Sequence, residues 1–226
     1  MPEKPSSKSK NKAAGAKTPA GNHTPIHPQN EDVWSRAQTI NGYAADEVRS
    51  VLQKSIRRGL LEEAILAAYE FYATGPEMEE LLWRRLEIIA AEDVGYGLIN
   101  APMMLEALNA QRLRIPPNPD RWIFSAHAVR LLATAKKDRT SMELAVWAES
   151  VVSSGERKLI VEDYQVDFHT RRGNLMGRGR EHWWHSGGAN LENQIEGLDP
   201  RWGNYLRDKY QAETKKAKAK KPAKKA

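Results

Sequence analysis

Between Ala45 and Gly155 the apolar residues recur every three to four positions, and each run is cut by a glycine or a proline. That period places side chains on one face of an α-helix, and the punctuation marks where each helix starts and stops. "ADEVRSVLQKSIRRG" puts Val48, Val51, Leu52 and Ile56 on a stripe, with acids at its start, bases in its last turn and Gly59 as its stop. "LLEEAILAAYEFYATG" repeats the form with Ile65, Ala68, Tyr69 and Tyr72 inward, ending at Gly75. "PEMEELLWRRLEIIAAEDVG" opens on a proline and acids suited to a first turn, then buries Met78, Leu82, Leu86 and Ile89. "APMMLEALNAQRLR" and "PDRWIFSAHAVRLLATAKK" follow the same grammar, and "TSMELAVWAESVVSSG" starts with a Thr140/Glu143 capping pair. Short links between such runs favour antiparallel neighbours, so the pattern predicts an all-α bundle of about six helices.

From about Tyr164 the texture changes. "VDFHTRRGNLMGRGREHWWHSGGANLENQIEGLDPRW" is rich in Gly, Arg, His and Trp and has little helical period. It reads as an irregular packed extension with short helical turns, closed by a helix from about Pro200 to Tyr210. Residues 1–30 offer almost nothing large and apolar to bury, and residues 212–226, "AETKKAKAKKPAKKA", are mostly lysine, alanine and proline. Both read as disordered basic tails. The alanines of the second would let a helix form once a polyanion neutralises the lysines. The organisation is therefore a tail (1–30), a helical interaction domain (31–163), the extension with its terminal helix (164–211) and a lysine tail (212–226).

Composition changes the picture in one respect. The chain has 226 residues, a formal charge of +6 and no cysteine. Residues 1–20 carry five lysines against one glutamate, and residues 212–226 carry seven against one. The segment between them is therefore mildly acidic, and the basic character belongs to the ends. The lack of cysteine excludes disulfides, thiol nucleophiles and thiolate metal sites. No stretch approaches the roughly 18 apolar residues that a membrane span needs, and no apolar core of a secretory signal follows the first lysines, so the expectation is a cytoplasmic protein.

"EIIAAED" superficially resembles the acidic strand of an ATPase. Its acids come in the order Glu-Asp, it lies inside a helical stripe, and no G-x-x-x-x-G-K-S/T loop occurs in the chain. Nucleotide hydrolysis by this chain is not expected, nor is any cofactor. A different match involves several linked motifs. "LQKSIRRG", "EEAILAAYEFYATG", "LLWRRLEIIAAEDVG" and "AHAVRLLATAKKDRTSMELAVWAES" resemble, in this order and spacing, the C-terminal helical region of replication-associated recombination ATPases. These form a bacterial family related to the Werner-helicase-interacting ATPase. The resemblance covers residues 46–150 and implies an α-helical oligomerisation module, working without its AAA+ motor or beside a separate AAA+ ATPase. The motif residues it marks are Lys54, Arg57, Arg58, Arg84, Arg85, Glu92 and Asp93. Two readings of them compete. In one, the bases pair with Glu92 and Asp93 and fix how helices meet; in the other, they form a basic face for a phosphate backbone or an acidic partner.

In the extension, Arg171, Arg172, Arg178 and Arg180 alternate with glycines and lead to Trp183 and Trp184. Forked donors beside stacking rings suit single-stranded nucleic acid, whereas the alternative is an arginine loop anchored by its tryptophans. Lys215, Lys216, Lys218, Lys220, Lys221, Lys224 and Lys225 suit sequence-independent attraction to DNA or RNA. His169, His182 and His185 invite a metal, but Glu181 precedes the His-x-x-His pair where a zinc enzyme needs the acid between the two, so no metal site is assigned. The expectation is a non-enzymatic accessory protein of DNA replication, recombination or repair, a homo-oligomer through its helices that holds nucleic acid through its tails. The rivals are a metal-dependent hydrolase or nuclease using the histidines with Asp163, Asp167 and Glu181, and a protein adaptor whose tails serve only solubility.

Overall fold

The computed structural model describes residues 33–188 and 191–220. The expected tail 1–30 and the lysines at 221, 224 and 225 lie outside them. Among the described residues every named element is helical, and no helix is long and apolar enough to cross a membrane. The chain folds as two compact units, with the boundary after Trp147.

The first unit holds α1 (Ala45–Arg58), α2 (Leu61–Thr74), α3 (Pro76–Ile89), α4 (Ala101–Arg112), α5 (Pro119–Thr134) and the start of α6 (Thr140–Ser153). α2 packs against α1, α3 and α5, and α5 also packs against α4. Gly59 ends α1 in the left-handed region at φ 72°, where a side chain would be strained, and two carbonyls of the last turn are capped by backbone N–H groups. Asn118 caps α5 by accepting from the Arg121 N–H at 3.0 Å, with Pro119 next in line. The core is built from Leu52, Ile56, Phe71, Leu82, Trp83 and Leu86, all at most 1% exposed.

The stripes expected on α1 and α3 are buried apart from Val51, while that on α2 is displaced in part. Val51 is 48% exposed and Tyr69 51%; the inward positions of α2 are Ala64, Ala67, Ala68 and Phe71. The small alanines let α1 and α5 approach α2 on both sides, while Tyr69 is exposed and Tyr72 half-buried beside Trp122, each ring 5.2 Å from its own. The larger correction concerns α6. Its period predicts a member of the bundle, yet Val151 is its only buried residue, and Leu144, Val146, Trp147 and Val152 are 47–66% exposed. Its start differs too. Thr140 is the first helical residue, and its N–H donates to Asp138 Oδ1 at 2.9 Å, so Asp138 takes the capping role expected of Thr140.

Between α3 and α4 the backbone widens into a π turn (Ala90–Val94) and then tightens into a 3₁₀ turn (Gly95–Leu98). Gly95 and Gly97 let this loop lie directly on residues 136–138. A Cβ on Gly97 would sit 2.1 Å from the Lys136 carbonyl oxygen, and one on Gly95 2.6 Å from that of Asp138. Both obstacles are backbone and cannot swing aside. Gly97→Ala is therefore expected to cost about 1–3 kcal/mol, read as a lower thermal midpoint at unchanged helical content.

The second unit holds the remainder of α6, a 3₁₀ turn (Asp163–Gln165), α7 (Arg171–Leu175), α8 (Arg180–His182) running into a π turn (Trp183–Gly187), and α9 (Arg201–Lys220). The expected irregular extension thus contains short helical turns. The terminal helix continues ten residues beyond the expected end at Tyr210, through most of the stretch assigned to a disordered tail. Its Gln-Ala-Glu-Thr-Lys-Lys-Ala sequence consists largely of good helix formers.

Candidate functional site

Two charged networks tie the helices of the first unit. At the first, Arg57 near the end of α1 reaches the π turn. Its Nε donates to Asp93 Oδ1 at 2.5 Å and its Nη2 to Glu92 Oε1 at 3.1 Å. Successive residues of a regular helix point about 100° apart; here the widened turn brings both carboxylates to a single guanidinium. Asp93 is fully buried, and Gln53 Nε2 donates to its other oxygen at 2.8 Å. Arg139 stands 3.4 Å from Asp93 and 3.9 Å from Glu92. The hydrogen bond to Asp93 raises the Arg57 pKa above its ordinary value, against the opposing effect of burial. Arg57, Glu92 and Asp93 therefore follow the pairing interpretation of the motif. Lys54, Arg58 and Arg84 are exposed and outside this network.

Arg85 takes a separate position. Its Nη2 donates to Gln53 Oε1, so an amide stands between it and Asp93, and its Nε is buried without a hydrogen-bond partner. Burial lowers its pKa, and the neighbouring Arg49 and Arg57 push the same way, against Glu92 and Asp93. It lines an open groove of about 420 Å³ together with Arg49, Ser50, Gln53, Lys54, Arg57, Asp46 and Glu47.

The second network has no counterpart among the expected site residues. Glu79 on α3, 2% exposed, receives Arg121 Nη2 at 2.7 Å and Arg121 Nε at 3.0 Å, and Arg112 Nη1 stands 3.2 Å away. Arg112 is completely buried; it also donates to Glu80 at 2.5 Å and to Asn109 at 2.8 Å, and lies over the Trp83 ring at 5.3 Å. The signal existed in the sequence. Arg112 follows Leu105 and Leu108 at helical spacing, and Arg121 precedes Ser125, Ala128 and Leu132, so both charges occupy core-facing positions. A charge on a core stripe demands a buried partner. Beside this network Tyr69, Tyr72, Trp122, Pro76 and Pro117 line a cleft of about 450 Å³.

In the second unit the arginines separate. Arg178 is a clamp: its guanidinium donates to the backbone carbonyls of Asp163 (2.6 Å) and Val166 and pairs with the Asp163 carboxylate. These donors are engaged within the extension itself. Arg180 lies over the Tyr210 ring at 5.4 Å, while Arg171 and Arg172 are exposed at the start of α7. Trp183 and Trp184 are half-buried and pack edge to face at 4.8 Å. Trp184 stacks on Tyr210 at 6.5 Å, and a Cβ on Gly188 would meet the Trp183 ring at 2.5 Å. Both rings anchor the extension.

The histidines do not converge. His169 Nδ1 lies 3.1 Å from Asp167 Oδ2, and this pairing holds the Asp167 carboxyl below the usual carboxylate range. His182 Nδ1 is buried without a partner. Among the described residues no three of His, Asp and Glu come together in a way that would hold a metal ion. Among the described residues, the hydrolase alternative therefore rests on one His–Asp pair.

On α9, Arg201, Lys209, Lys215, Lys216 and Lys218 are exposed; the side chain of Lys220 lies outside the description. At 100° per residue these cations fall within one half of the helix circumference and form a broad basic face. Compared with known proteins, the chain matches no family model and no curated protein.

Proposed function

We propose that the chain is a non-enzymatic, cytoplasmic accessory protein of DNA replication, recombination or repair, which self-associates through α6 and holds nucleic acid through its C-terminal helix. The observation that carries the nucleic-acid limb is α9, whose 20 residues would extend about 30 Å with exposed cations along one broad face. Such a distribution attracts a phosphate backbone without reading bases, because each neutralised phosphate releases counterions. Self-association is supported by the apolar surface of α6, where Leu144, Val146 and Val152 are more than half exposed among the described residues. The replication context comes from the motifs over residues 46–150 that resemble the oligomerisation region of recombination ATPases, and a separate AAA+ ATPase is the partner this resemblance implies.

Fluorescence anisotropy with a labelled duplex across a salt series tests this. Deleting residues 212–226 removes seven lysines, and each phosphate that is no longer neutralised should lower the salt slope by about 0.9. Affinity and slope should fall together. Trp183→Ala with Trp184→Ala should leave the slope unchanged. Equal affinity and slope for the deletion and the full chain would refute nucleic-acid binding through α9.

A further inference from the structure

We propose that the groove between α1 and α3, lined by Arg49, Ser50, Lys54 and Arg85, is a binding site for a phosphate group. The argument starts from what the cations of the groove already do. Arg57 is satisfied, with both carboxylates of the π turn on its guanidinium. Arg85 is not. Its hydrogen bond goes to the neutral Gln53 amide, and its Nε, shielded from solvent, has no partner. A buried donor without an acceptor is costly, and the cost is greater for a charged group. Here the unused donor belongs to a planar guanidinium, whose forked geometry matches a phosphate's paired oxygens.

The groove supplies what such an anion needs besides Arg85. Ser50 is half-buried and offers a hydroxyl, and Lys54 is exposed with a mobile ammonium. Asp46 and Glu47 also line the groove, but Asp46 Oδ1 accepts the Glu47 N–H at the start of α1. Burial depresses the basicity of Arg85, with Arg49 and Arg57 acting in the same direction against Glu92 and Asp93. An opening of about 420 Å³ also accommodates more than a bare phosphate, such as a phosphodiester with its sugar. The same chemistry would take a free phosphate species or the backbone of a nucleic acid. The site is independent of α9, because it uses none of that helix's lysines.

The Arg Nε–Hε correlations of the full chain report on it by NMR. The Arg85 signal is assigned by its loss in Arg85→Lys, and the chain is titrated with inorganic pyrophosphate and, separately, with a short duplex. The duplex arm uses Lys215→Gln, Lys216→Gln and Lys218→Gln together, so that α9 does not dominate. A saturable shift of the Arg85 signal is expected, with the exposed Arg58 signal unmoved. Response to pyrophosphate alone identifies a free phosphate species as the ligand, and response to duplex identifies the backbone. Lys54→Glu, at an exposed position that leaves the fold intact, should weaken whichever binding is seen by at least about tenfold. An Arg85 signal that moves with neither probe, or that moves equally with sodium chloride, overturns the proposal, whatever α9 does.

Discussion

Glu79→Ala is expected to lose about 3–5 kcal/mol of stability, the cost of removing one partner from a buried ion network. The loss is large because two cations depend on this one carboxylate. Arg121 makes three hydrogen bonds to it, and the completely buried Arg112 is held between it and Glu80. Without Glu79, Arg121 keeps the Ile115 carbonyl and Arg112 keeps Glu80 and Asn109, which leaves positive charge in a site water does not reach. A domain has only about 5–15 kcal/mol in total, so thermal unfolding should move down by at least about 10 °C. The compensating variant separates this cause from simple loss of packing. Glu79→Leu combined with Arg112→Met and Arg121→Met removes all three charges at similar volume and should recover most of the stability. A triple variant as unstable as Glu79→Ala would show that the network's shape matters more than its charge.

The second large effect concerns α6. Leu144→Glu with Trp147→Glu is expected to weaken self-association by about 2 kcal/mol or more, at least about thirtyfold in the dissociation constant. Buried aromatic and aliphatic anchors dominate protein interfaces, and a carboxylate in their place must be desolvated. The two side chains are 57% and 47% exposed, so the substitutions leave the chain's own core intact and thermal unfolding should change little. Loss of assembly accompanied by loss of fold would place these residues in the core instead.

The helices were legible because their signals are local. Gly59, Gly75, Pro76 and Pro119 mark ends where the backbone turns, and Met78, Leu82, Leu86 and Ile89 form a stripe whose burial follows from spacing alone. The face of α2 was not legible, because alanines and tyrosines share the helix and only the approach of α1 and α5 decides which turn inward. α6 misled for a related reason. Its apolar residues carry the period of a core helix, yet periodicity records that a face is to be covered and not which surface covers it. Among the site residues, the pairing of Arg57 with Glu92 and Asp93 was one of two readings available from composition. What decided it was a π turn, which places adjacent acids together and leaves no mark on apolar spacing. The network of Glu79, Arg112 and Arg121 was visible in principle, as charges on core stripes, although only the fold shows that they meet. In the extension, glycine, arginine and tryptophan left two readings open, a single-strand binding loop and a loop anchored by its tryptophans. Gly173 and Gly188 allow close packing, where a Cβ would meet the Asp167 carbonyl oxygen at 1.8 Å and the Trp183 ring at 2.5 Å.

Sedimentation velocity of the full chain at micromolar concentration, in enough salt to suppress charge-driven association, tests the central claim most directly. The account predicts a dimer or tetramer that the paired Leu144→Glu and Trp147→Glu substitutions convert to monomer. A wild-type chain that sediments as a monomer across that range would contradict it.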